Sequence, residues 1–438
     1  MPIYKAGDTQ IKSKYRPVSV LSTLLKVYEQ NILTPYQFGF RQNMSTSLAL
    51  TYFVDQVNQG IENKQYNVGL FIDLSKAFDT VDHQILIQKL KYYGVRGIAL
   101  TWIENYLSER QQFVLYNNTE SNILPITCGV PQGSILGPLL FLLYINDLPN
   151  ICDNANFVLF ADDTNILFKG PNMEQLVIDI NDNMIKIKNW FHLNKLSLNV
   201  GKTNYMLLGP KSDNVKFSNN ITSSISIDTV LITRVKSTKF LGVIIDEKLT
   251  WSKHIHYVTS KISKTNGILY RAKQVLCTDT LKQLYTTLVL PYLNYCCIIW
   301  GKAAQCHLNV INIAQKKTIR NVTCSHYLAH TKPLFKMLNV INVSTLYIYQ
   351  VSIFMYKYHY DLLPSVFTNW YSQNIPTHNY NTRNATKLHS TKTRTVRVKS
   401  HILSQGPLVW NDISLTHKSS KTINSFKKQL RSHLLNTQ

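Results

Sequence analysis

Three aspartates stand where their carboxylates could do chemistry together. Asp73 follows the apolar run Val68–Ile72, and Asp162 and Asp163 lie between two short β-prone runs. Carboxylate oxygens suit Mg²⁺, and two such ions about 3.5–4 Å apart can activate a hydroxyl and neutralise a departing phosphate. An isolated Asp-Asp pair is usually no more than a turn. The pair therefore predicts a two-metal centre for phosphoryl transfer only if Asp73 folds next to it.

The elements around these aspartates must hold them on neighbouring strands. Val68–Ile72 is typical of a buried strand, and a helix after it is expected to begin with Asp82 as its N-cap. Farther on, the pattern predicts a β-hairpin, an amphipathic helix and two strands around a turn. The hairpin strands are Phe157–Phe160 and Asn165–Phe168. The apolar face of the helix consists of Met173, Leu176, Val177, Ile180, Met184, Ile187 and Phe191. The two later strands are Leu196–Leu198 and Tyr205–Leu208, with the turn at Gly201–Lys202. The order of elements predicts an α+β sheet covered on one face.

The charge of the chain favours a polyanionic partner. Its 438 residues, enough for two or three domains, carry a formal net charge of +23, from 47 Lys and Arg against 24 Asp and Glu. A merely basic surface is the alternative. After Asn381 the basic residues face a single acid, Asp412. Such a segment typically follows phosphate backbones, and the other reading is a solvated, poorly ordered tail.

The cysteines and the apolar runs exclude several other classes. The seven cysteines form no C-x-x-C pair, which favours reduced thiols inside the cell. Cys324, His326 and His330 lack a second pair at ligand spacing, so a zinc site is the weaker reading. The chain opens without a signal-like apolar run, and Ile135–Ile145 is too short to cross a membrane. No membrane partner is expected.

Seven segments follow one another along the chain: Tyr15–Ser19, Gln37–Arg41, Phe71–His83, Gly129–Pro138, Phe160–Asp163, Leu198–Thr203, and Phe240–Val243 with Trp251. In order and spacing they resemble two fingers motifs and motifs A to E of the reverse transcriptases of non-LTR retrotransposons. Their spelling is most similar to that of the jockey-like and chicken-repeat-like elements of animals. The resemblance covers about residues 1–255, and the helical stretch to about 330 resembles the family's thumb. It implies an α+β right-hand polymerase fold, with fingers, an antiparallel palm sheet and a helical thumb, plus a basic C-terminal extension.

The resemblance also implies roles for the acidic residues and for one aromatic residue. Asp73 and Asp162 would be the main ligands of two Mg²⁺ ions, with Mn²⁺ as a substitute, and Asp163 would be a third, looser ligand. Phe78 would lie beneath the incoming sugar and exclude a 2′-hydroxyl, with core packing as its alternative role.

Five further residues would contact the substrates. Gln132 and Gly133 would lie in the turn before the motif B helix, beneath the nascent base pair. Lys202 would be the general acid for departing pyrophosphate, or else an exposed turn lysine. Arg16 and Arg41 would be the fingers cations near the triphosphate or template phosphates, and the sequence leaves open which of them reaches the nucleotide.

By the same resemblance the chain divides into fingers and palm at 1–235, a primer-grip hairpin and helical thumb at 236–330, and a helical, then basic region at 331–438. The expected activity is RNA-directed DNA synthesis for a retrotransposon, with an RNA template, a DNA primer or target DNA, and dNTPs as partners. An intracellular location is expected, in the nucleus at the site of insertion.

One departure from the family leaves a second function open. Elements of this kind usually carry an endonuclease ahead of the polymerase, whereas this chain opens a few residues before the first fingers motif. A truncated form lacking the endonuclease is therefore expected. A catalytically inactive, nucleic-acid-binding remnant is the alternative, whereas a group II intron maturase or a telomerase relative fits the spelling less well. The intact Asp73 and Phe160–Asp163 favour a competent centre.

Overall fold

The structure is a computed structural model that describes residues 3–4, 15–16, 32–210, 224–227, 230–372, 387–390 and 393–437. The chain forms two compact units. The described residues of the first unit lie within 1–45, 67–207 and 214–235, and those of the second lie within 46–66, 208–213 and 236–438.

Five of the strands form the main sheet, in the order β15–β12–β3–β10–β9, and the others pair as two-stranded ladders. The strands are β1 (Ile3–Tyr4), β2 (Tyr15–Arg16), β3 (Tyr66–Ile72), β4 (Leu74–Ser75), β5 (Gln111–Gln112), β6 (Leu115–Tyr116), β7 (Thr119–Glu120), β8 (Leu124–Pro125), β9 (Ala155–Phe160), β10 (Asp163–Gly170), β11 (Ser197–Leu198), β12 (Asn204–Leu208), β13 (Ser226–Ile227), β14 (Val230–Leu231), β15 (Thr233–Arg234), β16 (Ser237–Phe240) and β17 (Val243–Asp246).

The main sheet is mixed in direction. β9 and β10 pair antiparallel, as the hairpin pattern predicts. At the opposite edge, β12 and β15 run parallel, with Asn204 opposite Thr233. The expectation of an antiparallel sheet is therefore wrong at this edge. The long connection between the two strands lets the chain return in the same direction, which a short hairpin loop does not allow.

The central strands are covered on both faces. Every residue of β3 from Asn67 to Ile72 is buried, and so are the residues of β10 from Thr164 to Phe168. Since successive side chains of a strand point to opposite faces, continuous burial requires a layer on each side. The expectation of a sheet covered on one face is therefore wrong at its centre.

Helices make up most of the described part of the second unit, and the first unit also contains several. They are α1 (Thr46–Glu62), α2 (His83–Tyr92), α3 (Ile98–Leu107), α4 (Leu136–Tyr144), α5 (Met173–Leu193), α6 (Ser252–Ala272), α7 (Thr278–Leu288), α8 (Leu290–Asn294), α9 (Cys297–Trp300), α10 (Gln305–Val322), α11 (Thr331–Leu338), α12 (Val343–His359), α13 (Val396–Lys399), α14 (Ile402–Asp412), α15 (Leu415–Lys418) and α16 (Ile423–Thr437). Short 3₁₀ helices lie at Ala77–Asp79, Leu148–Ile151 and Ser365–Phe367. Among the described helices none alone has the length and apolar character to span a membrane, and the pair α11 and α12, bent by 45°, passes by length and composition only.

Two helices of the first unit form as their sequences predict. The Asp82 carboxylate accepts a hydrogen bond from the amide of Ile85 at 3.0 Å, which confirms it as the N-cap of α2. Asn172 caps α5 in the same way through the amide of Glu174. α5 buries all the predicted apolar positions except Met173, and it packs against β10.

In the second unit, β16 and β17 form a hairpin whose turn depends on a glycine. Leu241 and Gly242 take φ values of 45° and 79°, as the favoured two-residue hairpin turn requires. The Tyr295 hydroxyl donates to the Leu241 carbonyl at 2.7 Å. A Cβ at position 242 would lie 3.0 Å from the Tyr295 ring, so a side chain there would be both strained and crowded.

The described part of the chain after Asn381 is folded, and its helices share a core with α12. Trp410 of α14 and Phe426 of α16 are buried, and Phe426 stacks on Tyr356 of α12 at 4.5 Å. The Tyr356 hydroxyl donates to the Ser420 carbonyl at 2.6 Å. The reading of this region as a solvated, poorly ordered tail is therefore wrong for its described part, because its few aromatic residues are enough to anchor it.

Candidate active site

Asp73 lies directly after β3, where the chain passes from the main sheet into a smaller ladder. β4, which follows at once, pairs antiparallel with β11. The backbone carbonyl of Asp73 accepts a hydrogen bond from the amide of Asn199 at 2.9 Å. Strand pairing on both sides of Asp73 therefore limits the movement of its backbone.

The bend between β9 and β10 carries the other two aspartates. Ala161 and Asp162 form the two-residue loop, and Asp163 is the first residue of β10. Ala161 takes a φ of 56°, a left-handed conformation used in tight hairpin loops. β10 lies beside β3, and the Asn165 side-chain amide donates to the Leu70 carbonyl at 2.9 Å. The bend is therefore fixed near the end of β3.

The three carboxylates repel one another. Burial, and then the charge of Asp73, raises the pKa of Asp162, although a hydrogen bond from its own backbone amide acts in the opposite direction. Partial burial of its carboxyl group, then the charges of Asp162 and Asp73, raise the pKa of Asp163 to about 6. Asp163 as a residue is exposed, so surrounding atoms shield only part of its carboxyl group. Because β3 and β10 are neighbours and Asn165 contacts Leu70, Asp73 at the end of β3 lies on the same side of the sheet as the bend that carries Asp162 and Asp163.

This concentration of negative charge fits a divalent cation. Hard cations take carboxylate oxygens as ligands, and their charge would relieve the repulsion. In the part of the chain that the structure describes, no three or more His, Cys, Asp or Glu side chains form a ready-made metal cluster. The assignment of a cation to this site therefore depends on the ligand type and the charge of the three aspartates.

Lys202 lies beside Asp73. Its ammonium nitrogen is 3.6 Å from an Asp73 carboxylate oxygen, and both side chains are largely exposed. An exposed pair of this kind stabilises the fold little, so Lys202 is free to exchange partners. The turn after β11 thus delivers a cation to the edge of the carboxylate cluster.

Phe78 is half-buried within a set of aromatic rings. Its ring stacks on Phe141 of α4 at 4.4 Å and meets the edge of the exposed Phe40 ring at 6.4 Å. The Phe78 carbonyl accepts a hydrogen bond from the Val130 amide at 2.8 Å. Phe141 therefore supports one face of the ring, while the side chain keeps partial access to solvent.

Gln132 and Gly133 lie in the turn that leads into α4. The Gln132 amide donates to a carboxylate oxygen of Asp79 at 2.8 Å, and Gly133 takes a φ of 81° that favours glycine. Gly129, at the start of the same segment, has no room for a side chain, because a Cβ would lie 2.8 Å from the Asp79 carbonyl oxygen. The turn is thus held tightly against the segment that carries Phe78.

The structure gives Arg41 a structural task. One of its guanidinium nitrogens donates to the carbonyls of Thr34 at 2.7 Å and Gln37 at 3.3 Å. Arg16 lies in strand β2, paired with Ile3, and its side chain is outside the described residues. A direct contact of either arginine with a nucleotide stays a prediction.

Gln37 is a site residue that sequence reasoning missed. Its side chain is 1% exposed, and its oxygen accepts hydrogen bonds from the amides of Gly39 at 2.8 Å and Ala161 at 3.0 Å. A Cβ on Gly39 would lie 2.4 Å from the Ala161 nitrogen, so only glycine permits this approach. The spelling Gln-Phe-Gly-Phe marked the segment, but nothing local indicated that its glutamine holds the bend carrying Asp162.

A family model described as "Reverse transcriptase (RNA-dependent DNA polymerase)" matches residues 3–245, more than half of the chain. The chain belongs to the reverse transcriptase family. Membership implies a right-hand polymerase fold, which agrees with the mixed helices and sheet described above. The prediction from the ordered motifs is thereby confirmed at the level of the family.

Several curated reverse transcriptases of mobile elements are similar to the chain. The RNA-directed DNA polymerase from mobile element jockey of Drosophila melanogaster is 29% identical over 365 residues, which are 77% of this chain and 39% of that protein. The probable RNA-directed DNA polymerases from transposon BS and transposon X-element of the same fly are 29% and 28% identical, each over 78% of this chain and 40% and 39% of the relative. The predicted resemblance to jockey-like elements is confirmed. The chain spans about two fifths of the length of these relatives.

Among solved structures, telomerase from Candida albicans in complex with a fragment of telomeric RNA matches with a TM-score of 0.34 and 11% identity. The match covers 72% of this chain and 55% of the telomerase chain, and a similarity this low supports no further conclusion.

Gln37→Ala should loosen the bend of this reverse transcriptase. The substitution leaves the buried Ala161 amide without its acceptor, which typically costs about 1–3 kcal/mol. We expect faster hydrogen exchange in a peptide spanning Ala161 and Asp162, beyond any change in global stability. Gln112→Ala, on the exposed strand β5, is the control. Unchanged protection of the bend in Gln37→Ala would contradict the role of Gln37.

Asp163→Asn should stabilise the fold at neutral pH and not at acid pH. Because the folded pKa of Asp163 is raised to about 6, stability falls as the pH rises from about 4, where the unfolded chain loses this proton, and the loss is complete above about pH 6. Below about pH 4 the carboxyl is protonated in both the folded and unfolded states, and the difference vanishes. After allowance for solvent screening we expect a gain on the order of 1 kcal/mol at pH 7.5 in urea unfolding with a chelator present.

Asp182→Asn, on an exposed position of α5, controls for the change in net charge. Added Mg²⁺ should stabilise the wild type more than Asp163→Asn, because a bound cation relieves the repulsion. A gain of equal size at pH 4 and pH 7.5 would refute the electrostatic origin.

Proposed function

We propose that this chain is an RNA-directed DNA polymerase of a non-LTR retrotransposon, which transfers deoxynucleotides to the 3′-hydroxyl of a primer. The observation that carries the proposal is the convergence of Asp73, Asp162 and Asp163 at adjacent strands of a reverse transcriptase sheet. Its substrates would be an RNA template, a DNA primer or target DNA, and dNTPs. Its place of action would be the nucleus, at the site of insertion.

The metal set would be two Mg²⁺ ions, or Mn²⁺, held by Asp73 and Asp162 with Asp163 as a third ligand. When bound, such ions lower the pKa of the primer hydroxyl and neutralise the triphosphate and the leaving pyrophosphate. The protein's own part is to hold the carboxylates together against their repulsion, through β3, β10 and the Gln37 contact to the bend. Lys202, which lies 3.6 Å from Asp73, would give a proton to the departing pyrophosphate.

Nucleotide selection would fall to the ring cluster and the turn before α4. Phe78, supported by Phe141, would exclude a 2′-hydroxyl from the sugar site. Gly133 would allow close approach of the nucleotide, and Gln132 could leave Asp79 to reach the sugar or the template. Arg41 and Arg16 would add positive charge near the phosphates.

In the terms of a right-hand polymerase, the fingers and palm would correspond to 1–235 and the primer grip and thumb to 236–330. The hairpin β16–β17 would be the primer grip, and α6 with the helices after it would form the thumb. Residues 331–438 would then extend the thumb.

Asp162→Asn should abolish primer extension. Loss of one metal-binding carboxylate removes several kcal/mol of charge stabilisation, so the rate should fall on the order of 10³-fold or more. The assay uses an annealed RNA template and DNA primer with dNTPs and Mg²⁺, and Asp182→Asn is the control that should keep the wild-type rate. Extension unaffected by Asp162→Asn would overturn the metal site. Salt-dependent binding without extension by the wild type under any metal would select the inactive remnant instead.

Phe78→Ala should relax the choice of sugar. Removing the ring opens space for a 2′-hydroxyl, and pocket discrimination of this kind is worth about 10- to 200-fold. We expect the ratio of kcat/KM for dNTP over NTP to decrease by a factor of about 10 to 200. The ratio is measured on one preparation, so it does not depend on the folded fraction. Phe113→Ala, on an exposed loop, should leave the ratio unchanged, and an unchanged ratio in Phe78→Ala would show that the ring is only a packing residue.

A further inference from the structure

The C-terminal region carries much of the positive charge of the chain without matching acids. From Thr331 to the end there are fourteen Lys and Arg residues, and the only acids are Asp361 and Asp412. In the described part of the region, α16 packs on α12, so the fold sets where the backbone presents its charged residues. A fixed, uncompensated positive surface attracts a polyanion.

The helix α16 presents part of this charge on its outer side. Phe426, Leu430 and Leu434 are buried against the rest of the unit, while Lys428 and Arg431 are exposed. Arg431 is oriented by a hydrogen bond from its guanidinium to the Asn339 carbonyl at 3.0 Å. The charged side of the helix is thus anchored on its neighbours.

Like charges are held near one another in this region. Burial, and then the charge of Lys427, lowers the pKa of Lys357. Burial, then the charge of Lys387, lowers the pKa of Lys418, and Asp412 offsets part of this effect. Ammonium groups brought close in this way gain from a bound anion, as the aspartates of the first unit gain from a bound cation.

Two adjoining concavities lie on α16. The first, of about 620 Å³, is lined by hydrogen-bonding side chains that include Ser425, Lys428 and Ser432. The second, of about 440 Å³, lies between α12, α14 and α16. Its largely apolar lining includes Leu408, which is 49% exposed, and Asp412 is an acid in the same lining. His417 and His433, with rings 5.3 Å apart, line both.

We propose that these helices form a second nucleic-acid site, which binds an unpaired strand separately from the polymerase centre. The hydrogen-bonding concavity and the lysines would take the phosphates, and the apolar groove would take a base turned out of its stack. A duplex hides its bases from such a groove, so the combination favours a single strand. An acidic peptide could match the charge. A nucleic-acid strand is favoured because the chain belongs to a family of polymerases that act on nucleic acid. RNA and single-stranded DNA share this chemistry.

The experiment measures binding of a 20-nucleotide unpaired RNA, the same sequence as DNA, and the matching duplex, by fluorescence anisotropy. It uses the full chain carrying Asp162→Asn, so that catalysis does not interfere. In that background Lys427→Glu with Lys428→Glu is compared with Lys186→Glu and Lys188→Glu on α5, a pair that makes the same change in net charge in the other unit. Lys427→Glu should not unfold the chain, because it replaces a repulsion of Lys357 by an attraction.

We expect the first pair to weaken binding of unpaired RNA or DNA at least tenfold. It should also reduce the salt slope by about 1.4, as expected for two lost phosphate contacts on a single strand. The α5 pair should change affinity no more than about twofold. If both pairs weakened binding equally, the binding would depend only on net charge, and the proposal would be overturned. An equal loss for the duplex, or competition by polyglutamate as strong as that by RNA, would overturn the choice of partner.

A crosslinking experiment locates the strand directly. RNA containing 5-iodouridine, crosslinked to the wild-type chain, should label peptides from α14 to α16 in addition to those of the first unit. Labelling confined to the first unit would contradict the second site. Primer extension on a saturating, pre-annealed template and primer should survive Lys427→Glu with Lys428→Glu. If the wild type fails to extend a primer, the binding and crosslinking results still decide the second site on their own.

Discussion

Mutual repulsion of three carboxylates is the constraint on which the first unit depends. Asp73 is far along the chain from the adjacent pair Asp162 and Asp163, and in an unfolded chain it would move away from them. The fold keeps them together by placing them at the ends of adjacent buried strands, where moving one would disturb a continuous core. Asn165 and Gln37 then tie the bend to its neighbours through buried hydrogen bonds. The energetic cost of this arrangement is what makes the site receptive to a multivalent cation, so stability and chemistry oppose each other here.

Local patterns in the sequence were enough to predict the elements that hold the acids. The N-cap at Asp82, the hairpin around Asp162 and the buried face of α5 all depend on residues within a few positions of one another. Patterns of this range are set by helix and strand periodicity and by capping hydrogen bonds, which act wherever the chain folds. The ordered motifs supplied what periodicity could not, namely that Asp73 belongs with the bend ninety positions later.

Features that depend on distant contacts were not predictable from one sequence. The parallel pairing of Asn204 with Thr233 joins residues far apart in the sequence, and no local signal marks it. The task of Gln37 exists only because Gly39 lets its loop approach the bend. In the same way, the high density of Lys and Arg hid the few aromatic residues, such as Trp410 and Phe426, that fold the C-terminal region. The content of Lys and Arg predicts the charge of the surface, whereas a few buried aromatic side chains determine whether the segment forms a core.

The strand β9 lies at the rim of the main sheet, yet its outer side is not bare. The amide of Phe38 donates to the carbonyl of Leu159 at 2.8 Å, and the amide of Leu159 donates to the carbonyl of Tyr36 at 3.0 Å. An uncovered rim of apolar strand is a template for stacking of further chains and for fibre growth. The short segment that carries Gln37 therefore also covers the edge of the sheet and prevents another chain from pairing with it. Loss of this segment would expose the outer side of β9 and would be expected to favour aggregation.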